Sequence, residues 1–149
     1  LVRGAYLEKE RQRAHEDEYS EPLHKDKEHT DRDFNAGTLA CLNNINHVNF
    51  CIGTHNELSC RLLIEEMTKL NIANNHPNIY FAQLLGMSDN ISYNLAASGY
   101  NVAKYVPYGP VESVMPYLFR RAEENSSIAG QTSREFTLLL NEVKRRKNA

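Results

Sequence analysis

"VNFCIGTH" (48–55) runs straight into "NELSCRLLIEEMTKL" (56–70), and the period of the apolar residues changes at the join. Val48, Phe50 and Ile52 alternate, as in a strand; Leu62, Leu63, Met67 and Leu70 recur at helical spacing. Asn56 is placed to cap the helix and Thr54 to satisfy the turn. A strand that hands over to a helix within a few residues is the repeating unit of a parallel sheet, because parallel strands need a crossover connection.

Outward from this unit the pattern recurs. "NIYFAQLLG" (78–86) is an almost continuous apolar run, which predicts a strand buried on both faces. "SDNISYNLAASG" (88–99) predicts a helix ended by Gly99. "YNVAKYVPY" (100–108) predicts a further strand, and "GPVESVMPYLFRRAEENSS" (109–127) a helix opened by Pro110. On the N-terminal side, "LVRGAY" (1–6) reads as a short strand followed by the charged helix "LEKERQRAHE" (7–16). A polar connection with Pro22 leads to a helix from Thr30, its expected N-cap, with Phe34, Leu39, Leu42 and Ile45 as an apolar stripe that Gly37 weakens. "TSREFTLLLNEVKRR" (132–146) predicts a last helix with its cap at 132–133.

The sequence therefore predicts an α/β fold of four βα units plus a final helix. An open doubly wound sheet and a (β/α)8 barrel both fit alternating units. A barrel needs about 250 residues, and these 149 residues open inside a strand without a methionine. The reading adopted is the C-terminal half of a (β/α)8 TIM-like barrel over residues 1–149, with the N-terminal half outside this chain.

A net charge of −2 argues against nucleic-acid binding by bulk charge. "KRRK" (144–147) suits a helix end, where the dipole favours cations. Cys41, Cys51 and Cys60 are odd in number and do not form a disulfide framework. No apolar run approaches the roughly 18 residues of a membrane span.

In parallel architectures chemistry collects where strands end. "RGAY" offers Gly4 and Ala5 for close approach by a flat ligand, or simply a tight strand end. "GTHN" offers Thr54 and His55; no second histidine stands at metal-ligand spacing, so no metal is expected. Gln83 in "QLLGM" needs a ligand or a neighbouring backbone as partner. Tyr105 in "KYVPYGP" walls a pocket or packs at a rim. On the wheel of 111–127, Val111, Val114, Met115, Leu118 and Ala122 form an apolar stripe, while Tyr117, Arg120, Arg121 and Glu124 lie together away from it. That second surface is either a solvated face of ion pairs or a carboxylate clamp, since guanidinium forks bind carboxylates bidentately.

Four stretches, in order, resemble the proline dehydrogenase (proline oxidase) family: "LVRGAYLEKER" (1–11), "GTHNE" (53–57), "FAQLLGMSD" (81–89) and "YNVAKYVPYGPVESVMPYLFRRAEENSS" (100–127). The last is the most specific. The resemblance implies a barrel with FAD over the strand C-termini and oxidation of L-proline to 1-pyrroline-5-carboxylate, with hydride passing from proline C5 to flavin N5. By that likeness Arg120 and Arg121 grip the proline carboxylate and Glu124 supports them. Tyr105 and Tyr117 wall the substrate, and Leu84 and Tyr6 add apolar contact. Arg3, Gly4 and Ala5 lie along the flavin, and Thr54 and His55 also contact FAD. Arg3 stands where many bacterial relatives have lysine, which keeps the positive charge. The family's basic residue near flavin N5, and the lysine and aspartate of earlier strands, fall outside these residues, so the chain alone is expected to be inactive. The resemblance further implies a quinone as electron acceptor, peripheral membrane association and a bacterial cytoplasmic location, with the mitochondrial matrix as alternative. Three rivals stand beside it: a barrel flavoenzyme acting on hydroxyproline, a barrel enzyme using the arginines for phosphate, and a truncated non-catalytic fragment.

Overall fold

The computed structural model describes residues 1–3, 7–127 and 129–147; of Glu8, 122–127 and 129–135 it describes the backbone alone. Residues Leu1–Val106 and Pro107–Ala149 form two units.

The first unit contains α1 (Leu7–Glu16), α2 (Lys27–Asn43), β1 (Phe50–Gly53), α3 (Glu57–Lys69), β2 (Ile79–Leu84), α4 (Asp89–Ala97) and β3 (Val102–Tyr105). The three strands are parallel and ordered β1-β2-β3. The segment expected as a first strand meets β1 at a single parallel bridge, Val2 with Gly53. A Cβ on Gly53 would lie 3.4 Å from the Leu1 carbonyl oxygen, so the small residue permits this close approach.

Register sorts the side chains by face. Phe50 pairs with Ile79, and Ile52 with Phe81, which pairs in turn with Val102. Phe50, Ile52, Ile79 and Phe81 join Phe34 and Leu42 of α2, Cys60, Leu63 and Met67 of α3, and Ile91 and Leu95 of α4 in one core. α2, α3 and α4 thus collect on a single face. This corrects the expectation that 78–86 is buried on both faces: Ile79, Phe81 and Gln83 are buried, whereas Tyr80, between them, is 43% exposed.

Helix ends follow local chemistry. The helix expected from Thr30 begins at Lys27, because Asp26 is its N-cap and accepts a hydrogen bond from the His29 N–H at 2.9 Å. That contact and the neighbouring imidazole hold the Asp26 carboxyl below its ordinary range. Asn56 caps α3 as expected, accepting from the Leu58 N–H at 2.9 Å. Gly99 follows α4 with φ +82°, the left-handed conformation that closes a helix. The three thiols are free, and burial pushes that of Cys60 up to about 12.

The second unit holds α5 (Val111–Ser127) and α6 (Ala129–Lys147). Its second helix starts before the cap expected at 132–133, which lies inside α6. Pro116, inside α5, supplies no N–H for the carbonyl one turn back. The apolar stripe of α5 is open in part: Val111 is 75% exposed and Leu118 41%. An apolar stripe is buried only where a partner covers it, and among the described residues this unit contains two helices.

Candidate functional site

The C-terminal ends of the strands place the candidates of the first unit. On the face opposite the helices, Gly53, Ala82 and Ala103 pair across the sheet in one row. The next row toward the strand ends pairs Leu84 with Tyr105. Leu84 is half-buried and Tyr105 is 55% exposed. The result is a flat row of small residues bounded at its C-terminal side by an apolar side chain and a tyrosine.

Immediately after β1, Thr54 is buried, and its Oγ1 accepts from the Asn56 N–H at 3.1 Å. His55 is half-buried, with Nδ1 3.0 Å from Ser88 Oγ. Arg3 reaches α2, its Nη2 lying 2.8 Å from Asp31 Oδ1. The Asn56 amide donates to the other oxygen of the same carboxylate at 3.4 Å. One aspartate thus ties the first segment to the β1 end. Gly4, Ala5 and Tyr6 lie outside the described residues.

The polar residues that looked ambiguous in the sequence have protein partners. Gln83 is 2% exposed; its amide donates to the Thr54 carbonyl at 3.3 Å, and its Oε1 accepts from Ser92 Oγ at 2.9 Å. Lys104 donates to the Met87 carbonyl and to Asp89 Oδ1, both at 2.8 Å. Sequence reasoning missed Asp31, Ser88 and Lys104 as organisers of these ends. The available signal was Lys104 itself, a cation next to Tyr105 at the end of an apolar strand.

The arginine helix belongs to the second unit. The Arg121 guanidinium carbon lies 5.2 Å from the centre of the Tyr117 ring, a cation–π contact across one helical turn. Arg121 and Tyr117 are half-buried, whereas Arg120 is exposed. The two neighbours are therefore unequal: Arg121 is held by an aromatic face and Arg120 is presented to solvent. The side chain of Glu124 lies outside the described residues.

Among the described residues no group of three or more His, Cys, Asp or Glu could hold a metal, and no helix is long and apolar enough to cross a membrane. A groove of about 520 Å³ between α3 and α4, with Cys60, Ile64, Ile91 and Leu95 in its lining, contains none of the candidate residues.

Comparison with known proteins gives these arrangements a context. The family model described as proline dehydrogenase matches residues 1–134. Proline dehydrogenase 1, mitochondrial, of Homo sapiens is 44% identical over 98% of this chain and 25% of its own length. Its Drosophila melanogaster counterpart is 39% identical over 98% and 23%. A hydroxyproline dehydrogenase of Xenopus laevis is 40% identical over 98% and 32%. The chain spans about a quarter to a third of the length of these relatives. A crystal structure of proline utilization A from Bdellovibrio bacteriovorus, inactivated by N-propargylglycine, superposes with a TM-score of 0.75 at 28% identity, over 85% of this chain and 13% of that one. The expectation of a bacterial cytoplasmic protein is overturned: the human and fly relatives are mitochondrial.

Proposed function

Because the chain belongs to the proline dehydrogenase family, we propose that it forms the C-terminal half of a (β/α)8 barrel that oxidises L-proline to 1-pyrroline-5-carboxylate in the mitochondrion. Three parallel strands stepping in chain order support the barrel reading, since an open doubly wound sheet reverses direction at a switch point.

The observation that carries the functional reading is the row of Gly53, Ala82 and Ala103 ending at Leu84 and Tyr105. Small side chains give a planar group a floor, and residues just beyond the strand ends supply hydrogen-bonding atoms at its edge. This donor set fits FAD. Thr54, His55 and Arg3 would hold it together with Gly4 and Ala5; Arg3 has donors to spare beyond the one facing Asp31. FAD, when bound, would take the hydride from proline C5 and pass electrons to a quinone at a membrane surface.

The remaining roles belong to side chains. Arg121, oriented by Tyr117, would bind the substrate carboxylate through its fork, with Arg120 as second donor and Glu124 in support. Tyr105 and Leu84, with Tyr6, would present apolar surface to the pyrrolidine ring and exclude water from it. The test is anaerobic addition of L-proline to the whole protein while following the visible flavin absorbance. Bleaching is expected. A yellow protein that stays yellow rejects proline; a colourless one rejects FAD.

Hydroxyproline is the second reading, favoured by the 40% identity to the Xenopus enzyme. Tyr105 favours proline, because a bulky wall beside the ring would leave little room for a hydroxyl. Tyr105→Ser is expected to raise kcat/KM for hydroxyproline relative to proline by roughly tenfold. A ratio unmoved by this change assigns the selectivity to another residue.

A further inference from the structure

Ser88 has a conformation and a hydrogen bond that its place in the chain does not call for. It is the residue before α4, where serine ordinarily caps the helix with its hydroxyl. Here it makes no side-chain cap bond. Its backbone is left-handed, with φ 51° and ψ 43°, a conformation rarely adopted by residues with a Cβ. The residue is buried, and its Oγ lies 3.0 Å from His55 Nδ1 on the neighbouring strand end.

The surroundings hold this backbone from several sides. Lys104 grips both neighbours in sequence, donating to the Met87 carbonyl and to the Asp89 carboxylate at 2.8 Å each. The Ser92 hydroxyl lies 3.2 Å from the Ser88 carbonyl and 2.9 Å from Gln83 Oε1. A strained residue persists only where its environment over-determines it, and such strain clusters where geometry serves function. Helix capping has been given up, and what the left-handed turn achieves in its place is a hydroxyl aimed at an imidazole.

We propose that Ser88 is a positioning residue that fixes the ring and tautomer of His55 for contact with the cofactor. In the proposed arrangement the Ser88 hydroxyl donates to Nδ1, which puts the ring proton on Nε2 and makes that nitrogen a hydrogen-bond donor. The proposal rests on His55 contacting FAD, as proposed above.

Ser88→Gly is the discriminating variant. Glycine adopts φ +51° without penalty, so a purely structural role predicts equal or greater stability and no other change. We expect the apoprotein melting temperature to hold or rise, the His55 ring ¹⁵N signals to shift from one tautomer to a mixture, and the FAD dissociation constant to rise roughly tenfold, the worth of one hydrogen bond. In a His55→Ala background Ser88→Gly should leave FAD affinity unchanged. An unchanged tautomer in Ser88→Gly, or an equal loss of affinity in the His55→Ala background, overturns the proposal. A wild-type protein that binds no FAD fails the functional reading instead. The ¹⁵N spectrum of the apoprotein then still decides whether Ser88 sets His55: one tautomer in wild type and a mixture in the variant support it, and mixtures in both overturn it.

Discussion

Arg121→Lys is expected to raise KM for L-proline by roughly 100-fold while kcat falls by less than roughly tenfold. Lysine keeps the charge and loses the fork, so in the proposed clamp the substrate carboxylate would keep one of two parallel hydrogen bonds. The carboxylate is not the reacting centre. Its grip is nearly the same in the bound substrate and in the transition state, so the loss falls on KM. The structure adds a second reason. Arg121 lies with its guanidinium carbon 5.2 Å from the Tyr117 ring centre, a contact that holds a planar cation by its face. An ammonium has no plane to align. Arg120 is exposed, so Arg120→Lys is expected to change KM less. Steady-state kinetics on the two variants check both statements; an unchanged KM in Arg121→Lys rejects the clamp.

Phe81→Ala lowers the unfolding free energy by about 3–5 kcal/mol. Phe81 sits in the central strand with none of its surface exposed. It stands in register with Ile52 and Val102 and meets the Tyr100 ring edge-on at 5.6 Å. Truncation there removes the ring's transfer free energy and leaves a cavity among strands that cannot close up without breaking their ladders. Tyr93→Ser is the control: Tyr93 is 70% exposed, and the change is expected to fall within about 0.5 kcal/mol. Denaturant titration of the two variants measures the difference. A cost below about 1 kcal/mol at Phe81 would contradict its place at the centre of the core.

The elements with strong periodicity were legible from the chain alone. Val48, Phe50 and Ile52, and the leucines after Asn56, place β1, α3 and the cap between them. Where two side chains competed for one role, the sequence did not decide. Asp26 caps α2 rather than Thr30, because a carboxylate four residues earlier reaches the His29 N–H and extends the helix toward it. The apolar run of β2 reads as two buried faces, and only register with Phe50 and Ile52 reveals that the helices cover one. At the candidate site, Thr54, His55, Leu84 and Tyr105 stand on strand ends as their motifs suggested. The links among those ends could not be read, since each joins residues far apart in sequence: Arg3 to Asp31, His55 to Ser88, Lys104 to Met87. No local pattern encodes a pairing of that kind.

The order of the strands also bears on how the molecule is made. Each strand pairs with the one synthesised just before it, across a single intervening helix. Emerging from the ribosome, β2 finds β1 already present, and β3 finds β2. The entropy of closing the β1–β2 and β2–β3 connections is therefore met in two short steps, each spanning a single helix. A pause during translation between β2 and β3 would leave the open edge of β2 as the surface most exposed to strand pairing with another nascent chain.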